Sequence, residues 1–150
     1  MSDFIKFIHC SDVHLGANPF GIGERFEDMG NALKQVFEFA VKENVDFVLI
    51  SGDFFHNKQL TPKVLEQAID LLEILKQNKI PVFLTEGNHD METYINTYGW
   101  LQFLSAKKYI KLLKPIKEES SEQILKMWDG KIGSIYELED VYIMGLGYPR

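Results

Sequence analysis

The sequence predicts an α/β fold in which a layered β-sheet core is flanked by helices. Three times, the chain runs from an apolar stretch suited to a β-strand, through a polar turn, into a stretch whose apolar residues recur at helical spacing. Such alternation is typical of parallel strands joined by right-handed helical crossovers. The 150 residues suit one domain, and 45% hydrophobic with 25% charged residues is a globular composition.

The strand–helix units fill the chain up to about residue 104. The strands are expected at residues 4–9, 46–51 and 80–85, and the second is a continuous apolar run suited to burial on both faces. The helices are expected at residues 24–43, from Pro62 onward, and at residues 92–104. Thr61 is the expected N-cap of the second helix, with Pro62 at its first position.

From residue 109 onward the apolar stretches are short and lack helical spacing. Strands are expected at residues 109–113, 124–128, 131–138 and 141–146. The last three are predicted to be antiparallel and joined by turns at Asp129-Gly130 and Glu139-Asp140. Because no capping helix follows, we expect residues 1–150 to be the N-terminal part of a domain that continues beyond Arg150.

Composition and local patterns exclude several classes of protein. No apolar run approaches the roughly 18 to 20 residues needed to cross a bilayer, and no secretory signal is visible at the start. The single cysteine, Cys10, cannot form a disulfide within the chain, which fits a reducing, cytoplasmic setting. A net charge of −6 argues against broad electrostatic binding of nucleic acid but leaves metal-mediated phosphate chemistry open.

Side chains able to bind a metal follow each of the three strands. They are Asp12 and His14 after the first strand, Asp53 and His56 after the second, and Asn88 and His89 after the third. Ligands of open α/β sheets collect at the carboxyl ends of the strands. Carboxylates, imidazoles and amide oxygens are ligands for manganese, iron or zinc. The two-residue spacing of Asp12 and His14, on an extended backbone, predicts that both side chains point the same way.

Each turn has a plainer interpretation when it is taken alone. Asp12-Val13-His14 and Gly52-Asp53 could simply hydrogen-bond a local turn, and Gly87-Asn88-His89-Asp90 could also be an ordinary turn. The conjunction favours a metal site, because three of the chain's four histidines lie in these turns. The fourth, His9, is expected to be a packed, hydrogen-bonded core residue beside Cys10.

The three motifs, in this order and spacing, resemble the calcineurin-like metallophosphoesterase superfamily and, more closely, its SbcD and Mre-eleven nuclease branch. The similar stretch runs from about residue 7 to residue 90. A histidine at position 56, where other members typically carry an aspartate, favours the nuclease branch. The resemblance implies a metallophosphoesterase-type layered sheet, of which this chain would form part of a β-sandwich.

The resemblance also implies a role for each side chain. Asp12 and His14 would bind one metal ion, Asp53 would bridge two, and Asn88 would bind the second. His89 would stabilise the transition state or protonate the leaving oxygen, and His56 would position the scissile phosphodiester. The ions would be two divalent cations, with Mn²⁺ the expected pair. Three further histidine ligands are absent and would lie beyond Arg150.

The function implied is that of a metal-dependent DNA exonuclease and endonuclease of double-strand-break repair. The implied partners are DNA, an SbcC-type SMC-like ATPase and a second copy of the chain. No membrane is expected as a partner. The expected location is the cytoplasm, at the nucleoid, or the nucleus of a eukaryote. The alternatives are a small-molecule phosphodiesterase or phosphatase of the same superfamily, or a non-catalytic dimerisation or partner-binding module with a vestigial site.

Two further features have both a structural and a functional interpretation. A basic stretch could contact a DNA backbone, but a solvated surface over buried Tyr109, Ile110 and Leu112 is favoured; its lysines are Lys107, Lys108, Lys111, Lys114 and Lys117. Apolar residues of the second and third helical stretches belong mainly to the core, and an excess could serve a homodimer contact. The candidates for that contact are Leu71, Tyr94, Tyr98 and Trp100.

Overall fold

The computed structural model describes residues 4–18, 26–90, 98–117 and 123–148. Its first part alternates strands and helices: β1 (Phe7–Cys10), α1 (Phe26–Lys42), β2 (Phe47–Ser51), α2 (Pro62–Gln77), β3 (Val82–Thr85), α3 (Trp100–Ala106) and β4 (Lys111–Leu112). The described residues of the second part form short strands: β5 (Ile116–Lys117), β6 (Gln123–Ile124), β7 (Ile135–Leu138) and β8 (Val141–Met144).

Strands β1 to β4 form one parallel sheet in sequence order. Phe7 lies opposite Phe47, and Val48 lies opposite Val82, so the three longer strands are in step. The stretch predicted at residues 109–113 contributes only its centre, which pairs with β3 as the fourth parallel strand. The predicted α/β fold with helical crossovers is therefore confirmed, and the carboxyl ends of β1, β2 and β3 face the same edge.

Both faces of the sheet are covered. Along β2, Val48 and Ile50 belong to the larger core cluster, which includes residues of α1 and α2, such as Phe37 and Leu72. Phe47 belongs to a second cluster on the opposite face, with Phe83, Leu113 and Ile143. This double burial explains why the second strand is a continuous apolar run in the sequence.

Helix α2 begins where the sequence predicts. Thr61 is the N-cap, its hydroxyl accepts a hydrogen bond from the Val64 amide at 3.4 Å, and Pro62 occupies the first helical position. The hydroxyl satisfies one of the amide donors that a helix leaves unpaired at its start. This cap sets the entry of the chain into the helix that packs against α1.

Replacing Thr61 with alanine should lower the free energy of unfolding by about 1 kcal/mol, because it removes the side-chain acceptor at the start of α2. For a domain of this size the melting temperature should fall by about 2 to 4 °C. Thermal unfolding followed by circular dichroism measures the change. Thr61→Ser, which keeps the hydroxyl, serves as the control, and equal losses for the two variants would contradict the capping role.

The second part of the chain departs from its predicted pairing. β5 and β6 pair with each other, and β7 and β8 form the hairpin predicted around Glu139-Asp140. The predicted antiparallel pairing of residues 124–128 with 131–138 is wrong, because only one bridge, between Met127 and Ile135, links them, and it is parallel. The Asp129 carboxylate accepts the amides of Lys131 and Ile132 at 3.0 and 3.1 Å, which holds this segment in a local turn.

The helix predicted at residues 92–104 is confirmed over residues 100–104, and it extends two residues further than predicted. Within the described residues it is the seven-residue α3, Trp100–Ala106. The start of the predicted helix, at residues 92–97, lies outside the described residues. None of the described helices combines the length and the hydropathy that crossing a bilayer requires.

His9 is exposed, so its predicted place in the core is wrong, although the predicted hydrogen bond is present. Its Nε2 lies 2.7 Å from the Ser51 hydroxyl. His9 alternates with Ile8 and Cys10 along β1 and so faces away from the helices, whereas Cys10 packs against the larger core cluster. Strand alternation, which sends neighbouring side chains to opposite faces, accounts for the difference.

The basic stretch is only partly the solvated surface that the sequence favours. Lys107 and Lys108 are exposed, and Ile110 and Leu112 are buried. Lys114 instead forms an ion pair of 2.8 Å with the largely buried Glu86. Lys111 is half-buried among the rings of Phe83, Trp128 and Tyr136. Its Nζ lies 5.3 to 6.0 Å from the centroids of these rings.

Candidate metal centre

Backbone hydrogen bonds bring the loop after β1 against the loop after β2. The amides of Asp12, His14 and Leu15 donate to the carbonyls of Gly52, Asp53 and Phe54 at 3.2, 2.9 and 2.9 Å. These bonds continue the pairing of β1 with β2 beyond the ends of both strands. The first two predicted turns are therefore held side by side by the backbone itself.

Asp12, His14 and Asp53 form a compact group of potential metal ligands. The His14 Nε2 lies 3.9 Å from Asp12 Oδ1 and 3.9 Å from Asp53 Oδ2. One ligand atom from each of the three residues lies within 4.8 Å of the other two. The Asp12 side chain is 67% exposed and that of Asp53 only 12%, so the group opens to solvent from a buried base.

The three side chains converge because the backbone is left-handed at each of them. The φ angles are 55° at Asp12, 50° at His14 and 52° at Asp53. The extended backbone predicted for Asp12 and His14 is therefore wrong, although their predicted convergence is confirmed. Non-glycine residues rarely adopt positive φ, which costs of order 1 to 3 kcal/mol each and tends to occur at functional sites.

A group of three histidines adjoins these carboxylates. His14, His56 and His89 have ring centroids 4.9 to 5.4 Å apart, and the Nδ1 atoms of His14 and His56 are 3.3 Å apart. Burial, followed by the like charges of His14 and His89, lowers the pKa of His56. A lowered pKa favours the neutral imidazole, which is the form that binds metals and accepts protons.

His89 is oriented by two hydrogen bonds to the second loop. Its backbone amide donates to Asp53 Oδ1 at 2.9 Å, and its Nδ1 lies 2.7 Å from the His56 carbonyl oxygen. A carbonyl oxygen only accepts, so Nδ1 carries the proton and Nε2 is the free nitrogen of the neutral ring. Asp53 Oδ1 is likewise occupied, which leaves Oδ2 as the oxygen that faces His14.

Asp90 is a positioning residue for which the sequence alone indicated no role. Its carboxylate accepts the backbone amides of Phe54, Phe55 and Gly87 at 3.0, 2.9 and 3.2 Å. Burial raises the pKa of the Asp90 carboxyl, and the three amide hydrogen bonds oppose that increase. An aspartate in a turn often accepts the amides of nearby residues, so the bond to Gly87 could have been inferred from the sequence. Its two partners in the second loop lie 35 and 36 residues away and could not be inferred.

Asn88 lies in the same turn as His89 and Asp90, and its side chain is exposed. The structure thus brings together five of the six predicted site residues, Asp12, His14, Asp53, His56 and His89, on the geometry described above. The assignment of Asn88 as a ligand stays a prediction.

Two glycines allow the second and third loops to touch. A Cβ on Gly52 would lie 2.9 Å from the Cα of Gly87, and φ at Gly52 is 85°. A Cβ on Gly87 would lie 2.7 Å from the Cγ of Asp53 and even closer to its Oδ1. Atoms at these separations overlap, so the loops can meet at Asp53 only without side chains at these two positions.

Replacing Gly87 with alanine should lower the free energy of unfolding by about 1 to 3 kcal/mol and should also weaken metal binding, because the new methyl group displaces Asp53. Urea unfolding and calorimetric titration with Mn²⁺ measure the two effects. In the control Gly130→Ala the new methyl group meets nothing within 4 Å, although φ is 103°. The control should lose stability without losing Mn²⁺ affinity; an equal loss of affinity would contradict the contact with Asp53.

The donor set suits one or more divalent cations. It combines carboxylates and imidazoles, and His14 belongs both to the group with Asp12 and Asp53 and to the group with His56 and His89. Carboxylate and imidazole together fit manganese, iron or zinc. The fold and this cluster define an α/β protein with a candidate metal centre at the carboxyl edge of a parallel sheet.

Comparison with known proteins assigns the chain to a family. Residues 5–149 match the family described as calcineurin-like phosphoesterase, and the chain belongs to this family. The match covers nearly the whole chain and confirms the superfamily resemblance drawn from the three motifs.

Similar proteins include archaeal repair proteins. One is a "DNA double-strand break repair protein Mre11" of Archaeoglobus fulgidus, with 35% identity. The aligned region covers 94% of this chain and 32% of that protein. The protein of the same name in Aeropyrum pernix is 41% identical to this chain, over 57% of this chain and 21% of that protein. A solved dimetal phosphatase from Danio rerio shares 20% identity and a TM-score of 0.41, covering 57% of this chain and 29% of that one. The chain thus spans at most about a third of these relatives.

Proposed function

We propose that this chain is part of a metal-dependent DNA nuclease of double-strand-break repair, which hydrolyses phosphodiester bonds. One observation carries the proposal: ligand atoms of Asp12, His14 and Asp53 lie within 4.8 Å of one another, beside His56 and His89. Carboxylates supply the negative charge that divalent cations need, and the histidines supply groups that can exchange protons near neutral pH.

The proposed metal ligands are Asp12, His14, Asp53 and Asn88. When bound, two divalent cations, with Mn²⁺ the expected ion, supply an activated water and neutralise charge on the phosphate. Asp53 is the proposed bridging ligand: its carboxylate lies at the buried base of the cluster, with Oδ2 3.9 Å from the His14 Nε2 and Oδ1 accepting the His89 amide.

The proposed roles of the two remaining histidines follow from their contacts. Because Nδ1 of His89 is hydrogen-bonded to the His56 carbonyl, its Nε2 is the nitrogen able to hold or donate a proton to a leaving oxygen. His56 packs against both other histidine rings and is the candidate for positioning the scissile phosphodiester. The lowered pKa of His56 favours the neutral ring, which keeps one N–H that can donate to a phosphate oxygen.

Two observations support DNA over a small molecule as the substrate. The relatives described above are named as DNA double-strand-break repair proteins. The resemblance adds a second argument, because a histidine at position 56, in place of the aspartate typical of other superfamily members, favours the nuclease branch. We accordingly propose DNA and an SbcC-type ATPase as partners, and the nucleoid or the nucleus as the location.

A homodimer is also proposed, on the resemblance alone. Of the four apolar residues suggested for that contact, Leu71 is buried and Trp100 packs against the core. Tyr98 is 67% exposed, and Tyr94 lies outside the described residues. Tyr98 is therefore the candidate that the described part of the chain leaves accessible.

The proposed function is tested by incubating the full-length protein and Mn²⁺ with three substrates: a linear DNA duplex, a cyclic nucleotide and an aryl phosphate. The nuclease proposal expects cleavage of the duplex, abolished by EDTA and restored by Mn²⁺. Cleavage of only the two small substrates would contradict it in favour of the small-molecule phosphodiesterase or phosphatase. Calorimetric titration with Mn²⁺ that detects no binding would instead favour a non-catalytic module.

A further inference from the structure

A basic cavity lies at the edge of the sheet opposite the candidate metal centre. It has a volume of about 510 Å³ and is lined by residues that precede β3 and β4 and by the C-terminal ends of α2 and α3. Strands of four residues at about 3.3 Å per residue separate the two edges by roughly 13 Å. The cavity is therefore a site distinct from the loops that carry the aspartates and histidines.

Four of the lining side chains are lysines: Lys76, Lys79, Lys108 and Lys111. The chain has a net charge of −6, yet no aspartate or glutamate of the described residues lines this cavity. The Glu73 carboxylate compensates Lys76 in part, because its Oε2 lies 3.9 Å from the Lys76 Nζ. Four positive charges thus share one concave surface with little compensation.

Helix dipoles give a simpler account of lysines at these positions, but they are too weak to explain the whole set. The C-terminus of a helix carries about half a negative charge. The ends of α2 and α3 therefore supply about one negative charge together, against four ammonium groups. The cavity keeps a surplus of positive charge that can attract a multivalent anion.

The fold fixes the backbone of two of the lysines and the side chains of the other two. Lys79 and Lys108 each follow a helix C-cap and have φ of 59° and 62°. The Lys76 Nζ lies 4.0 Å above the ring of Tyr109, and the Lys111 Nζ lies 5.4 Å from the centroid of Trp128. Lys111 is half-buried, and this burial lowers its pKa. Side chains that are already ordered lose less entropy when a ligand binds.

Tyr109 and Trp128 also line the cavity. Aromatic rings next to cationic side chains provide a surface on which a planar base can stack. The volume lies within the range of about 300 to 1,000 Å³ typical of small-molecule sites. We propose that this cavity binds a small molecule carrying two or more phosphate groups, of the size of a nucleoside diphosphate.

The proposal is tested by calorimetric titration of the full-length protein with ADP and with pyrophosphate, in EDTA so that metal ions do not contribute. We expect saturable binding of ADP at one site per chain. The variant Lys79→Asn/Lys108→Asn, in which asparagine tolerates the left-handed backbone, should weaken ADP at least about tenfold, the factor that corresponds to 1.4 kcal/mol. If pyrophosphate binds as tightly as ADP, the phosphates alone account for recognition. If ADP binds more tightly than pyrophosphate, the aromatic rings contribute as well.

A matched control removes the same charge elsewhere. Lys34→Gln/Lys42→Gln changes two exposed lysines of α1, which do not line this cavity. Its ADP affinity should stay within about twofold. Three results would overturn the proposal. They are the absence of saturable ADP binding, equal weakening of ADP binding by both double variants, and displacement of ADP by sulfate as effectively as by pyrophosphate at the same ionic strength. Tighter binding of a DNA duplex that displaces ADP would also overturn it, in favour of a nucleic-acid surface.

Should Lys79→Asn/Lys108→Asn fail to fold, the single variants Lys79→Asn and Lys108→Asn replace it, each expected to weaken ADP about threefold or more. If both single variants fold and bind ADP as tightly as the parent, that result would contradict the site. Nuclease activity is not the readout, so the outcome is independent of the function proposed for the metal centre.

Discussion

Asp53→Asn should reduce the Mn²⁺-dependent nuclease activity of the full-length protein by more than about 100-fold. Loss of a partner outside the coordination shell of a metal typically costs about 10- to 100-fold, and Asp53 is the proposed bridging ligand itself. Asparagine keeps the size of the side chain, can still accept the His89 amide, and is one of the residues that tolerate the φ of 52° at this position. What it removes is the negative charge.

The measurement compares initial rates of duplex cleavage with Mn²⁺ affinity from calorimetric titration. Asp70→Asn, on the exposed side of α2, makes the same chemical change away from the site and should leave both quantities unchanged. If Asp53→Asn bound Mn²⁺ normally and cleaved DNA at the parent rate, the bridging assignment would be wrong. A duplex that neither the parent nor the variant cleaves would count against the proposed function instead.

Asp90→Ala should produce the largest loss of stability among the substitutions considered, about 3 kcal/mol or more in the free energy of unfolding. The Asp90 carboxylate accepts three backbone amides in two loops, and each donor left unpaired away from water costs about 1 to 3 kcal/mol. A domain has a total stability of only about 5 to 15 kcal/mol, so the loss should be plain in urea unfolding.

Asp90→Asn distinguishes the hydrogen bonds from the volume of the side chain. It retains one acceptor oxygen, so it should fall between the parent and Asp90→Ala in stability. Mn²⁺ affinity should decrease in the same order, because Phe54 and Gly87 flank Asp53 and are held by the same carboxylate. Asp70→Ala is the control for stability, and a loss at Asp90 no greater than at Asp70 would show that the three bonds contribute nothing.

The fold class was predictable because its signals are local. Apolar runs at residues 46–51 and 80–85 became β2 and β3, and Thr61-Pro62 marked the start of α2. The same local reasoning failed at residues 124–138, where the Asp129 carboxylate forms a turn instead of a hairpin. A dipeptide typical of turns indicates where a chain reverses, but not whether the flanking segments find partners along a ladder.

The cavity of lysines illustrates a further limit of local reasoning. Lys107, Lys108 and Lys111 were visible as one basic stretch, but Lys76 and Lys79 come from another helix end more than 25 positions earlier. The parallel pairing of β3 with β4, which places the ends of the preceding helices at one edge of the sheet, brings the charges together.

At the metal centre, residue types and their positions after successive strands were determined by the sequence alone, since parallel strands must present their carboxyl ends to one edge. How the ligands meet was decided by the tertiary structure. The left-handed backbone at Asp12, His14 and Asp53, and the hold of Asp90 on a loop 35 residues away, arise from contacts between distant segments. Such contacts exist only once the chain has folded, because no short stretch of it contains both partners.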